Sequence, residues 1–173
     1  MRHDHLFAFE SDFVATLRCV PMAVRFKLDR VGIKLTLRQW SRFTAAERQD
    51  LLTRPCDADD ERSAYRLRLV ALVRATTGEI AQPLPTPEAP LWEQRAPPPA
   101  VVGFATAAGV SPPAGKAWRG LSELQRFVLV KLSRDNHDNV NFVPALREFG
   151  LDADVRPRAL RVSCPPDEGE DEG

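Results

Sequence analysis

The sequence has few of the residues that would cross-link a small fold or carry it into a membrane. Its three cysteines, Cys19, Cys56 and Cys164, are an odd number without a close pair. This usage suits a reducing compartment better than a disulfide framework. The longest apolar runs, such as Leu69 to Val73, fall far short of the roughly 20 residues that cross a bilayer, and no signal-peptide pattern is present. We therefore expect a cytoplasmic protein without a membrane anchor.

The common catalytic and metal-binding motifs are also missing. No C-x-x-C or Cys/His ligand spacing predicts a zinc site or an iron–sulfur cluster. Residues 109–116, G-V-S-P-P-A-G-K, only mimic a phosphate loop, because no Ser or Thr follows the lysine. His137 has Asp135 and Asp138 as neighbours, yet no nucleophile or metal partner accompanies it. The sequence thus predicts no cofactor and no catalytic residue; an enzyme that uses Cys19 or His137 is the less favoured alternative.

Two cysteines have neighbours that bear on their reactivity. Cys19 stands beside Arg18 and two residues before Pro21, and buried packing is the favoured interpretation for it. Cys56 follows Pro55 at a possible helix start. Amides in the first turn of a helix can stabilise a thiolate, so Cys56 is a candidate for an acidic thiol.

The charges balance overall, with 24 basic and 24 acidic residues, but they are unevenly distributed. Basic residues prevail in the first 74 positions. We consider two interpretations of them: a solvated helix face, or a surface that binds an anion or a partner. Nucleic acid fits less well than protein, because the net charge is zero and no helix-turn-helix pattern is evident. The candidate contact residues are Arg18, Cys19, Arg25, Lys27, Arg30, His137 and Asn141.

Residues typical of helix starts and ends recur along the chain and predict an all-α fold. A helix over Met22 to Val31 is favoured over a strand of period two, because Pro21 precedes it and Gly32 follows it. Capping boxes of the form S/T-x-x-E/Q begin at Thr36 and Thr44. A long helix is predicted from the aspartates near residue 59 to Gly78.

The second half repeats the order of the first. Matching positions are separated by 77 or 78 residues and share a glycine, a tryptophan, a Ser/Thr cap and an arginine behind the cap. An ordered set with matching cap chemistry predicts two related helical units, and the two arginines are expected to bridge them. The repeat positions are Gly32, Trp40, Thr44 and Arg48, followed by Gly109, Trp118, Ser122 and Arg126.

The predicted organisation is one compact domain made of two units. Residues 1–78 form the first unit and residues 100–150 the second. Between them, residues 79–99 hold seven of the 15 prolines and read as a linker that Trp92 pins to the folded body. Residues 151–173, with seven acidic and three basic side chains, are predicted to be a largely disordered acidic tail.

Four segments carry a recognisable order of residues. They are F-x-F-E-x-D-F-V from residue 7, L-R-C-V-P-M-A-V-R-F-K-L-D-x-x-G-I-K-L from residue 17, W-x-x-F-x-x-x-E-R from residue 40 and L-Q-R-F-x-L-x-K-L-S-R-x-x-H-x-x-x-N-F-x-P-A-L-x-E-F from residue 124. Together they resemble the nitrate reductase-associated proteins. These proteins are known chiefly from cyanobacteria and other bacteria and are encoded near genes for assimilatory nitrate reductase. The resemblance covers roughly residues 7 to 150, and it departs in the linker, in Pro112-Pro113 and in the tail.

The resemblance implies an accessory protein that aids maturation, cofactor insertion or stability of nitrate reductase. The partner it implies is the reductase itself, and neither nucleic acid nor a membrane is expected. The family has no established catalytic residues, so no site can be transferred. The alternative is a carrier of an anionic small molecule, such as a molybdopterin-type cofactor, held by the basic helices.

Overall fold

Residues 6–10, 16–85, 89–134 and 140–151 are described by a computed structural model, and most of them are helical. Two short strands, β1 (Ile33–Lys34) and β2 (Gln82–Pro83), and two 3₁₀ turns, Ala8–Glu10 and Leu91–Glu93, accompany the α-helices. The α-helices in these ranges are α1 (Met22–Val31), α2 (Leu37–Arg42), α3 (Ala45–Thr53), α4 (Asp59–Thr77), α5 (Pro99–Ala107), α6 (Gly115–Gly120), α7 (Glu123–Leu132) and α8 (Phe142–Glu148). The prediction of an all-α class is confirmed, with a two-stranded ribbon added.

Helix α1 lies at the centre of the packing, against α3, α4, α7 and β1. It begins after Pro21 and ends at Gly32, as predicted, and Gly32 has a φ of 64°. This left-handed conformation favours glycine because it carries no Cβ. Six of the ten α1 residues are buried, so neighbours cover the helix on several sides. A helix covered in this way need not show a single apolar stripe, which explains why its sequence also resembled a strand.

Three capping boxes set the corners of the fold. The Thr36 hydroxyl accepts from the Gln39 amide at 3.2 Å, and the Gln39 side chain accepts from the Thr36 amide at 3.0 Å. Thr44 begins α3 with the same exchange, and Ser122 begins α7 with it as well. Each box satisfies two amides that a helix start otherwise leaves unpaired.

The proline-rich segment is held to the helices at two described places. Residues of β2 pair antiparallel with β1, and the Leu84 amide donates to the Gly32 carbonyl at 2.9 Å. Trp92 is buried, with its ring centroid 6.3 Å from that of Phe26 and 5.0 Å from that of Phe127. The segment therefore adds an aromatic side chain to the core rather than crossing the surface freely. Residues 86–88 lie outside the described residues.

The N-terminal turn is fastened to the last helix. The Glu148 carboxylate accepts from the amides of Ala8 at 2.8 Å and Phe9 at 3.1 Å. The rings of Phe7, Phe9 and Phe149 form one aromatic cluster beside these bonds. The two ends of the described chain thus meet on one side of the fold. Apart from Leu151, the predicted acidic tail lies outside the described residues.

Replacing Trp92 by alanine should destabilise the protein by about 3–5 kcal/mol, because a buried indole is lost and a cavity remains. Leu91→Ala is the matched control; Leu91 is exposed, and its replacement should cost less than about 1 kcal/mol. Urea unfolding followed by circular dichroism measures both. Equal, small losses for the two variants would show that the proline-rich segment is not part of the core.

Candidate functional site

A cleft runs along the exposed side of α1, and we call it the α1 cleft. It consists of two adjoining cavities, with volumes of about 260 Å³ and about 280 Å³, that share Cys19, Val20 and Arg25. The larger is further lined by Phe9, Glu10, Met22 and Asn141. We call it the arm-side cavity, because it borders the N-terminal turn, which forms an arm over the start of α1. The smaller is the ribbon-side cavity, and its other lining residues are Leu28, Asp29, Ile33, Lys34, Leu35, Leu37, Leu84 and Lys131.

Glu10 organises the arm-side cavity. Its carboxylate accepts from the Met22 amide at 2.8 Å and from the Phe7 amide at 3.4 Å. Because Pro21 offers no side-chain cap, Glu10 caps α1 from twelve residues away. Burial raises the pKa of Glu10; the two amides and the Arg25 guanidinium oppose this, whereas the Glu148 carboxylate adds to it.

The ribbon-side cavity combines an apolar floor with basic groups. The Lys131 ammonium and the Asp29 carboxylate form a largely buried ion pair at 2.8 Å on its wall. Lys34 lies exposed on β1, and Arg25 lies exposed on α1. Leu37 stands at the rim with 58% of its surface exposed, although it is a large apolar residue. The cavity therefore offers apolar contact and surplus positive charge together.

Comparison with known families identifies what kind of chain this is. A model of the conserved nitrate reductase-associated protein family matches residues 6–149, which is most of the sequence. The chain belongs to the nitrate reductase-associated family. No curated protein and no solved structure matches it. The resemblance inferred from the four sequence segments is confirmed, and the matched range contains the whole α1 cleft.

Three predicted contact residues of this family member line the α1 cleft. Arg25 and half-buried Cys19 lie where its two cavities meet, and Asn141 lines the arm-side cavity. Arg18, which precedes Cys19, is exposed. His137 lies outside the described residues. The structure thus brings together residues that are far apart in the sequence, on α1 and at the start of α8.

Two other predicted contact residues make bonds within the fold. Lys27 is only 2% exposed, and its ammonium donates to the carbonyls of Leu52 at 2.6 Å and Arg54 at 2.7 Å. Arg30 pairs with Asp57 at 2.7 Å and with Glu123 at 3.0 Å. Lys27 is buried, and a buried cation must be paired or hydrogen-bonded. Lys27 therefore holds α1 to α3, and Arg30, which is half-buried, ties α1 to Asp57 and to the start of α7.

Arg48 also differs from its predicted role as a bridge between units. Its guanidinium donates to the carbonyls of Trp40 at 3.1 Å, Ser41 at 3.0 Å and Leu17 at 3.1 Å, all within the first half of the chain. Its counterpart Arg126 has a buried Nε without a hydrogen-bond partner among the described residues. Arg48 therefore fastens the corner around Trp40 to the segment that precedes α1.

Cys56 is not the acidic thiol that its position suggested. Burial raises its pKa to about 11, and the cationic groups of Arg30, Lys27 and Arg62 oppose this rise without reversing it. A thiol with such a pKa is almost fully protonated at neutral pH and is a poor nucleophile. Among the described residues, no group of three or more His, Cys, Asp or Glu is placed to hold a metal ion. No helix in the described part of the chain has the length and apolarity needed to span a bilayer.

Several cleft residues were missed by sequence reasoning. Leu37 and Lys131 lie 94 positions apart, and Leu84 reaches the cleft only because β2 pairs with β1. A pairing of two residues per strand leaves no periodic signal in a sequence. Leu37 is the exception with a local sequence signal. It is an apolar residue directly after the Thr36 cap, a position where the helix itself does not require one.

Lys27→Met should lower the free energy of unfolding by about 2–3 kcal/mol, because two carbonyls at the end of α3 lose a charged donor. Arg25→Met is the matched control on the same helix. It should change the free energy of unfolding by less than about 1 kcal/mol, since Arg25 is exposed. Urea unfolding compares the two. A larger loss for Arg25→Met would contradict the assignment of Lys27 to the interior.

Glu10 should make stability depend on pH. Its pKa is raised in the folded state, so the folded protein binds this proton more tightly than the unfolded chain, whose value is near 4.5. Stability contributed by protonated Glu10 is therefore present below that value and is lost as pH rises through the folded pKa. Relative to Glu10→Gln, the wild type should lose free energy of unfolding as pH rises from 4 to 7. A relative gain over that range, measured by urea unfolding, would contradict this sign.

Proposed function

We propose that this protein is a non-enzymatic accessory factor that docks on nitrate reductase and aids its maturation, cofactor insertion or stability. Membership of the nitrate reductase-associated family supports the link to the enzyme. The observation that favours docking is the α1 cleft, in which exposed Leu37 stands beside an apolar floor and the cations Arg25 and Lys34. An apolar patch rimmed by charged groups is typical of a protein interaction site.

A second candidate function is the carriage of an anionic small molecule such as a pterin phosphate. The observation that favours it is that Arg25, Lys34 and Lys131 all line one concave site. Thermal unfolding in the presence of a pterin phosphate tests it. An upward shift that Arg25→Ala abolishes would support carriage, and no shift at millimolar ligand would exclude it.

We propose further that the scaffold is built from two related helical units. Helices α2 and α6 each have six residues and end at an extended residue whose amide donates to the tryptophan carbonyl. These bonds run from Phe43 to Trp40 at 3.1 Å and from Leu121 to Trp118 at 3.2 Å. Gly32 and Gly109, which precede the two corners, both have positive φ. A cytoplasmic location belongs to the same proposal, because the chain's cysteine usage suits a reducing compartment.

Deleting the gene from the host should lower both the activity and the cofactor content of nitrate reductase in nitrate-grown cells. Complementation with the full chain should restore both, and the reductase should co-purify with a tagged copy. The matched control is a second molybdenum enzyme in the same cells, which should keep its activity. Unchanged reductase activity and cofactor content in the deletion strain would contradict the proposal.

A further inference from the structure

We propose that the α1 cleft binds an acidic protein segment that presents apolar side chains to the cleft floor; this inference rests on the proposed docking function and names the chemistry of the docked surface. Among the described residues, the cleft combines an exposed apolar side chain, an apolar floor and exposed cations. The cations indicate the charge of the bound segment, and the apolar floor and the exposed apolar side chain indicate its apolar side chains.

The charge of the cleft calls for an acidic occupant. Among the described residues that line the ribbon-side cavity, Arg25, Lys34 and Lys131 are basic and only Asp29 is acidic, so two positive charges are in surplus there. Lys131 and Asp29 already neutralise each other at 2.8 Å, which leaves Arg25 and Lys34 as the surplus. Neither has an ion-pair partner among the described residues, and both are exposed. The Nε of Arg25 donates to the Val20 carbonyl at 3.0 Å, which holds the guanidinium at the cleft.

The arm-side cavity does not reverse the positive charge of the cleft. Glu10 is its acidic residue, and the carboxylate is buried and bound by the amides of Met22 and Phe7. This carboxylate interacts electrostatically with Arg25, the cation shared by the two cavities, so the described lining of the whole cleft keeps a surplus of one positive charge, from three cations and two acids. Among the described lining residues, an incoming carboxylate therefore meets Arg25 and Lys34 and does not meet an exposed acid.

The rest of the site calls for apolar side chains on the same segment. Leu28, Ile33 and Leu35 contribute to the floor, and Leu37 stands at the rim with 58% of its surface exposed. Leu37 thereby extends the apolar surface of the cleft to its rim. A phosphate or nucleic acid backbone would leave Leu37 without a partner. It would also meet only two cations, where such ligands favour a basic stripe.

Peptide binding tests the inference without any knowledge of the natural partner. The probe is a short synthetic peptide with leucine at every third or fourth position and glutamate between; the comparison peptide has lysine in place of glutamate. Fluorescence anisotropy with the full chain should show binding of the acidic peptide only, weakened by salt. The variant Arg25→Glu/Lys34→Glu should lose at least roughly tenfold in affinity. Equal binding of both peptides, or unchanged binding by that variant, would overturn the proposal.

The matched control is Arg42→Glu/Arg119→Glu, which reverses two exposed cations that lie outside the cleft and should keep wild-type affinity. Arg25→Gln/Lys34→Gln removes charge without adding repulsion and is the second variant if the first does not fold, as judged by circular dichroism. It should still lose affinity for the acidic peptide, and full retention would also overturn the proposal.

Co-purification with nitrate reductase separates this inference from the proposed function. If the reductase binds the wild type and the cleft variant equally, the accessory function stands and the cleft assignment fails. If the acidic peptide binds as described but the reductase does not co-purify, the cleft assignment stands and the proposed partner fails. If the reductase co-purifies with the wild type and the control variant but not with the cleft variant, the proposed function and the cleft assignment are both supported.

Discussion

The burial of Lys27 fixes the rotation of α1, and the arrangement of the site depends on that rotation. An ammonium can leave water only if acceptors replace it, and the Leu52 and Arg54 carbonyls at the end of α3 do so. Successive residues of a helix are about 100° apart, so a residue two positions away faces the opposite side. With Lys27 turned inward, Arg25 is turned outward. The same basic helix thus supplies one cation to the interior and one to the surface.

The contacts around α1 then shape the cleft. Phe26 packs beside Trp92 and Phe127, which joins α1 to the proline-rich segment and to α7. The Lys131–Asp29 ion pair ties α7 to the same helix at the cleft wall. Glu10 holds the start of α1 and brings the N-terminal turn to the edge of the arm-side cavity. Each of these contacts is long-range in sequence, so the cleft forms only when the whole fold does.

Local chemistry was readable from the sequence, and long-range placement was not. Gly32 and the boxes at Thr36 and Thr44 act on neighbouring residues, so their patterns predicted the ends of helices. The sequence also grouped Arg25 with Lys27 as one basic surface, because composition does not show which cation is buried. That distinction depends on carbonyls 25 and 27 positions from Lys27. The family was recognisable because its motifs are runs of adjacent residues, whereas the cleft is assembled from separate elements.

Hydrogen exchange of the full chain, alone and mixed with nitrate reductase, tests most directly whether the α1 cleft is the docking surface. Docking at the cleft should slow the exchange of amides in residues 16–25 and 33–37, which border the cleft, and leave exchange on the outer face of α4 unchanged. These amides include several in turns without regular helical bonds, so a bound partner would protect them measurably. Protection confined to α4, or no protection around the cleft while the reductase is bound, would show that the α1 cleft is not the docking surface.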